Sequence, residues 1–416
     1  MKSLCSGGVV AMKKRAVTIL LCLALALFSI LRAYAEGEAT AETAEKAPGA
    51  VQGIVPAGVS DFDVPCAAAI LVDEDSGTVL YEKNVDDQRP IASITKVMTL
   101  LLTFQALESG KISLEDFVPV SEHAYGMGGS QIWLEPGEQM TLNDMLKAIC
   151  VSSANDAAVA VAEYVGGSEP AFVQQMNETA EQLGMSATHF ENACGLDQEG
   201  HLSSARDVAT MSREVLLHHT EVRDYCSIWT DTLRDGATQL VNTNKLLKSY
   251  NGITGLKTGT TSKAGVCISA SAERDGLRLI AVVLGAASGK ERFQAATALL
   301  DYGFANYENV TAELPEDAPK TLPVERGTTD AVTLQYDAPQ QCLMPKGQGE
   351  SLQLTVELPE SLQAPVTAGT QVGTVHLASA EQELQTFSIT AAQDVEALSF
   401  GYCFGLLAQS LALCDQ

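Results

Sequence analysis

RPIASITKVMTLLL, residues 89–102, is the stretch from which the rest of the chain can be read. Ser93 and Lys96 stand three residues apart, almost one helical turn, so a helix starting here carries both on one face. The residues after Lys96 are apolar nearly all round, which predicts a buried helix. A serine at the N-terminus of such a helix meets inward-pointing N–H groups and a dipole that favours negative charge. A buried lysine beside it has its pKa pushed down and can act as a base toward the hydroxyl. By itself the pair is a weak signal. The same spacing recurs at Thr254/Lys257 and Thr260/Lys263, and a helix start with a snorkelling lysine is its commoner origin.

The flanks supply the fold. Upstream, AAAILVD from Ala67 reads as a strand, Asp75-Ser76-Gly77 as a turn, and Thr78–Glu82 as the returning strand of a hairpin. Downstream, apolar helical stretches follow at 93–108, 142–151, 154–165 and 170–183. Gly110, Gly166 and Gly184 stand where helix C-termini take a residue of positive φ. GVCISASAE and LRLIAVVLGA then flank Arg274-Asp275-Gly276, a strong hairpin signal, before a helix over 291–302. After about residue 307 the helical period disappears. Short alternating runs such as Leu352–Leu358 and Val372–Leu377 predict a small all-β module ending near 392.

Two further motifs lie on this frame. Ser153-Ala154-Asn155 follows MLKAICVS and can aim a hydroxyl and a carboxamide into one cleft; alone it reads as a helix N-cap before DAAVAVAEYV. Lys257-Thr258-Gly259 precedes the 263–286 hairpin. There Gly259 lets a ligand approach the backbone closely, and Lys257 and Thr258 can hold a carboxylate. Alone, this too is an ordinary strand entry. Together the three change the odds: S-x-x-K, S-x-N and K-T-G in this order and rough spacing are the set of the penicillin-binding proteins and serine β-lactamases.

The chain resembles more narrowly the low-molecular-weight D-alanyl-D-alanine carboxypeptidases of peptidase family S11. The likeness is carried by the phrase from Arg89 to Thr99, by Ser153-Ala154-Asn155-Asp156-Ala157-Ala158, Gly195-Leu196-Asp197, Asn242-Thr243-Asn244 and Gly255–Gly259 with Ala264-Gly265. It runs from about residue 64 to 306, with a weaker continuation through Ala364-Pro365-Val366, Gly369 and Gly373. It implies an α/β (α+β) transpeptidase-like domain, an antiparallel sheet with helices on both sides, followed by a small C-terminal all-β domain. Ala154 stands where the family often has Gly, and Cys194 where His or Asn is expected.

Motif chemistry and resemblance imply the same roles. Ser93 attacks the carbonyl between two terminal D-alanines, Lys96 takes its proton, and Lys257 helps keep Lys96 neutral. Ser153 passes a proton to the leaving amine, and Asn155 holds the substrate amide. The N–H groups of Ser93 and Thr260 meet the oxyanion. Lys257 and Thr258 bind the terminal carboxylate. Arg292 matches a carboxylate-binding arginine of the family, or is a helix-surface cation. No metal or cofactor is required. The implied partners are peptidoglycan stem peptides ending in D-Ala-D-Ala, and β-lactams as acylating inhibitors. One rival is a serine β-lactamase, but the class A route looks absent, since no glutamate between 153 and 200 has an asparagine four residues on. A non-catalytic peptidoglycan-binding protein is the other, and intact Ser93, Lys96, Ser153, Asn155 and Lys257 argue against it.

The ends concern export. Lys13-Lys14-Arg15, an apolar run over 16–31 and Ala33-Tyr34-Ala35 form a signal-peptide pattern with cleavage after Ala35. The run is short for an uncleaved anchor. The expected layout is signal peptide 1–35, linker 36–59, catalytic domain 60–306, β domain 307–392 and apolar tail 393–416. Residues 397–414 have no charge and read either as a membrane-contacting helix or as one packed on the β module. The whole chain has 26 basic against 52 acidic residues, and five of the cations precede residue 35, so the remainder repels nucleic acid. The 10 cysteines show no C-x-x-C pair, hence no zinc site is suggested.

Overall fold

The structure is a computed structural model and describes residues 63–311, 313–337, 341–349, 352–379 and 382–413, all within one compact unit. The signal peptide and linker expected over 1–59 lie outside these residues.

Two short strands open the catalytic part, β1 (Ala68–Asp73) and β2 (Val79–Lys83). A 3-10 turn over Ala92–Thr95 leads straight into the Lys96–Glu108 helix. The middle of the chain is largely helical, with Asn155–Gly166, Glu169–Gln182 and Ala205–His218 as the longest helices. Small two-stranded sheets punctuate it: β3 (Phe117–Pro119) with β4 (Gln139–Thr141), and β5 (Thr230–Leu233) with β6 (Thr238–Val241). Then come β7 (Ile253–Thr261), β8 (Gly265–Arg274) and β9 (Leu277–Ala286), followed by the Gly289–Asn306 helix.

The five strands make one antiparallel sheet in the order β2-β1-β9-β8-β7. The first and last strand-forming parts of this region therefore meet in the sheet, where β1 pairs with β9. Side-chain alternation divides the core in two. Ile70, Val72, Ile280 and Val282 face the helical middle of the chain; Leu71, Leu279, Ala281 and Val283 face the Gly289–Asn306 helix. That two-sided burial is why LRLIAVVLGA reads as a continuous apolar run. The β8–β9 turn has Asp275 at φ 51° and Gly276 at φ 79°, the left-handed pair that an Asp-Gly hairpin turn demands.

Two expectations shift. Gly110 and Gly184 do take positive φ, but at the third site the left-handed residue is Gly167. Gly166 stays helical, and packing explains the glycine, since a Cβ there would sit 2.7 Å from Cβ of Phe172. The third motif does not merely precede a strand pair. It lies inside β7, the sheet's edge strand.

Beyond Tyr307, β10 (Tyr307–Val310) pairs with β13 (Cys342–Pro345). The strands β11 (Thr321–Glu325), β12 (Ala331–Tyr336), β14 (Leu352–Glu357), β15 (Leu362–Gln363), β16 (Gln371–Ser379) and β17 (Gln382–Ala391) form a sheet in the order β14-β16-β17-β12-β11-β15. Val332, Val375, Leu377 and Ile389 centre its core. The tail is helical over Phe400–Leu413. Among the described side chains, Phe400 is 85% exposed, Phe404 62% and Leu407 63%. Among the described residues no helix is long and apolar enough to cross a membrane.

Candidate active site

Ser93 sits on a turn held from three sides. Ala92, just before it, has φ 50°, a left-handed conformation that costs a residue with a Cβ. Gly195 presses on that turn, since a Cβ there would lie 2.0 Å from the Ala92 carbonyl oxygen. Gly259 presses from β7, where a Cβ would lie 2.8 Å from the Ile91 oxygen and 2.9 Å from the Ser93 nitrogen. The glycine expected to admit a ligand thus admits the serine's own turn. A chain of polar contacts supplies the third hold. His201 Nδ1 accepts from the Glu191 N–H at 3.0 Å, so the neutral ring carries its proton on Nε2. That proton is donated to Thr95 Oγ1 at 2.7 Å, and Thr95 in turn donates to the Ala92 carbonyl at 2.9 Å. Burial pushes the His201 pKa down to about 4, which keeps the ring neutral.

Lys96 is fully buried. Its Nζ donates to Ser93 Oγ at 3.0 Å, Asn155 Oδ1 at 2.6 Å and the Cys194 carbonyl at 2.6 Å, which engages all three ammonium donors. Burial lowers its pKa to about 8, against the opposing pull of Cys194 and Asp156. The amide expected to hold substrate is engaged at both ends: Asn155 Oδ1 takes Lys96, and Nδ2 donates to the Gly128 carbonyl at 2.7 Å. Asn155 positions the lysine in this structure.

Ser153 ends the π turn Ala148–Ser152 with φ 60°. It caps no helix; Ala154 occupies the N-cap and makes no side-chain bond. Ser153 Oγ instead accepts from Lys257 Nζ at 2.8 Å. Lys257 is 1% exposed and also donates to the Thr258 carbonyl at 2.9 Å. Burial, and after it the charge of Lys96, lowers its pKa to about 7. Burial is the first cause of both depressions, and repulsion between the two ammonium groups favours loss of one proton from the pair.

Thr258 Oγ1 donates to Thr243 Oγ1 at 2.6 Å, which brings the Asn242-Thr243-Asn244 phrase to the site. Thr260 is exposed on the same strand. Arg292 is no surface cation. It is 8% exposed, and its Nη1 lies 3.4 Å from the Gly259 oxygen, 3.4 Å from Thr260 Oγ1 and 3.2 Å from the Cys267 oxygen. Its Nε is buried without a partner, and burial pulls the guanidinium down to about 10. The three motifs, Thr260 and Arg292 thus form one continuous constellation. Sequence reasoning missed Thr95 and His201, whose 106-residue separation hides their contact, and Asn192, whose Oδ1 ties the N–H of Gly195 at 2.7 Å.

Comparison with known proteins agrees with this architecture. Residues 55–288 match a family model described as D-alanyl-D-alanine carboxypeptidase, and residues 307–397 match one described as the penicillin-binding protein 5 C-terminal domain. D-alanyl-D-alanine carboxypeptidase DacF of Bacillus subtilis is 40% identical over 80% of this chain and 86% of its own. DacC of Escherichia coli is 35% identical over 80% and 85%. Penicillin-binding protein 5 of Haemophilus influenzae superposes with a TM-score of 0.71 at 32% identity, covering 82% of this chain and all of that one. Penicillin-binding protein D2 of Listeria monocytogenes, in a cefotaxime-bound form, matches 59% of this chain at 34% identity with a TM-score of 0.55. By sequence and by fold, the chain belongs to the D-alanyl-D-alanine carboxypeptidases of peptidase family S11.

Proposed function

We propose that this enzyme, a serine-type D-alanyl-D-alanine carboxypeptidase, removes the terminal D-alanine of peptidoglycan stem peptides through an acyl-enzyme on Ser93. The observation that carries the assignment is the Ser93 Oγ–Lys96 Nζ contact of 3.0 Å, with a lysine that burial brings near neutrality. Neutral Lys96 takes the Ser93 proton as Oγ attacks the D-alanyl carbonyl. The N–H groups of Ser93 and Thr260 receive the oxyanion, a contribution of about 3–4 kcal/mol per donor in comparable sites. Ser153, hydrogen-bonded to Lys257, carries the proton to the leaving amine. Lys257, Thr258 and Arg292 provide the positive field for the substrate's carboxylate, and the Arg292–Thr260 proximity supports that reading. Asn155 holds Lys96 in the resting enzyme and turns to the substrate amide once the lysine is reoriented. Water then cleaves the ester. β-Lactams enter by the same attack and leave more slowly.

The same reading covers the chain's organisation: an exported protein with a signal peptide over 1–35, a linker to 59, a catalytic domain over 60–306, a β domain over 307–392 and a tail from 393. The exposed aromatic residues Phe400, Tyr402 and Phe404 support contact of the tail helix with a membrane surface. Acidity argues against a nucleic-acid partner.

Intact-mass measurement after exposure to benzylpenicillin tests the assignment. The wild type should gain one penicillin and Ser93→Ala none. Slow loss of the adduct marks the carboxypeptidase, whereas turnover within seconds would favour the β-lactamase. A folded wild type that gains no mass would return the chain to a binding role.

A further inference from the structure

Trp133 is 75% exposed, yet its backbone is held on both sides. Its φ of 59° is an outlier for a bulky residue and persists only where the surroundings impose it. They do so from both sides. The buried carboxylate of Asp156 accepts from the Ile132 N–H at 3.1 Å and the Leu134 N–H at 3.1 Å. Arg234 donates to the Ile132 carbonyl at 2.8 Å and to the Trp133 carbonyl at 3.4 Å, and is itself fixed by Glu138. The side chains of Ile132 and Leu134 are 2% and 1% exposed, so both neighbours are anchored in the core. A strained, clamped backbone here secures no packing for the indole. It presents the indole to solvent.

The segment is hydrogen-bonded to the candidate site. The Gly128 and Ser130 carbonyls accept from Asn155 Nδ2 and N, each at 2.7 Å, and Asn155 holds Lys96 at 2.6 Å. Asp156, which clamps Trp133, is the next residue along. The loop therefore borders the site through Asn155 and Lys96.

We propose that Trp133 is a stacking platform for a pyranose ring of the glycan to which the stem peptide is attached; the inference rests on the carboxypeptidase reading of the site. A stem peptide places its D-alanine end at Ser93 and leads outward at its other end to N-acetylated sugars. The faces of an indole carry partial negative charge, and the C–H bonds on one face of a pyranose present partial positive charge to them. The ring as a whole is neutral. The loop carries Glu135 and Glu138 on a chain of net charge −26, which disfavours an anionic lipid surface as the occupant.

Two measurements test the platform. The first compares kcat/KM on a free stem peptide ending in D-Ala-D-Ala with that on the same peptide carried on its disaccharide. The ratio of glycan-bearing to free substrate should fall about tenfold in Trp133→Ala and recover most of the way in Trp133→Phe. The second uses Trp229→Phe, which leaves Trp133 as the sole tryptophan of a chain that has two. Its emission should shift saturably with the disaccharide pentapeptide and stay unchanged with anionic phospholipid vesicles. An unchanged ratio in a protein that benzylpenicillin still acylates would overturn the platform, as would a shift with vesicles alone. A wild type that is neither acylated nor active on the free peptide would instead defeat the carboxypeptidase reading, and the emission titration would still decide whether Trp133 meets the sugar.

Discussion

Around Ser93, buried polar groups and left-handed residues crowd together: Lys96, Asn155, Asp156, Lys257 and Arg292 are all buried, and Ala92 and Ser153 have positive φ. In the β module beyond Thr321 the described residues include one buried polar side chain, Ser379, and one left-handed residue other than glycine, Arg326. The module is an ordinary hydrophobic construction, Val375, Leu377 and Ile389 against Val332. The catalytic end is a place where burial is turned to chemistry. Desolvation that would simply destabilise a surface lysine here brings two ammonium groups to about 8 and about 7. The contrast implies that substitutions at one end should alter rate and at the other stability.

The largest effect expected is at Lys96. Lys96→Met keeps length and apolar volume but removes the base, and benzylpenicillin acylation should slow by about 10²–10⁴-fold, the usual range for a general base. In the wild type the acylation rate should climb with pH as the buried lysines lose a proton, pass its midpoint near pH 8 and level off about a unit above it. The two groups titrate as a pair, so the profile reports the pair and not one residue. Stopped-flow acylation across pH 5.5–9 checks this (roughly the span around these values). A flat profile would mean that the proton does not pass to either lysine.

The module should behave in the opposite sense. Leu377 is fully buried at its centre, and Leu377→Ala should lower stability by about 2–5 kcal/mol through lost transfer energy and a cavity. Acylation measured below the unfolding transition should stay within about twofold of wild type, because no module side chain enters the constellation at Ser93. Thermal unfolding and acylation on one sample decide it. A large loss of rate would show that the module acts on the site through β10 and β13, and the division drawn above would fail.

The same division governs what could be read without a structure. Alternation in Leu352–Leu358 and the Asp275-Gly276 turn speak directly, because local chemistry decides them. The motif serines and lysines are likewise visible, since their order along the chain is itself the signal. What stays hidden depends on approach in space. Gly259 reads as an opening for a ligand, but the group that approaches is the Ile91–Ser93 backbone. Arg292 reads equally as a surface residue, because its 18-residue helix shows only a modest apolar face. β7 carries Gly255, Lys257 and Gly259, residues that weaken any strand pattern, and so the edge of the sheet goes unrecognised. Asn155 has a carboxamide free to face substrate in any reading of S-x-N; only coordinates reveal Gly128 and Lys96 at its two ends.

His201 offers the smallest and sharpest test, because it joins the two kinds of behaviour. It touches no reacting atom and acts on Ser93 only through Thr95 and Ala92. Its folded pKa, about 4, lies below the ordinary value of 6.5. As pH falls from 6.5 toward 4 the unfolded chain takes up a proton that the folded chain refuses, so stability that is complete above 6.5 is progressively lost, by roughly 3 kcal/mol in all. Asp73 works against it: burial raises its folded pKa from 3.8 to about 6, so its contribution grows as pH falls through the same window. The wild-type profile therefore conceals both. His201→Gln keeps a donor toward Thr95 but cannot titrate, and it should leave the Asp73 slope exposed. The stability of the variant relative to wild type should rise steadily between pH 6.5 and 4 in denaturant titrations, while acylation at pH 7.5 changes by less than about fivefold. A flat difference would mean that the buried ring is protonated in the folded protein, since a charged His201 donates from Nδ1 as well and cannot accept the Glu191 N–H. The Nε2 proton would still hold Thr95, and through it Ala92, but the ring would lose its anchor at the Glu191 N–H.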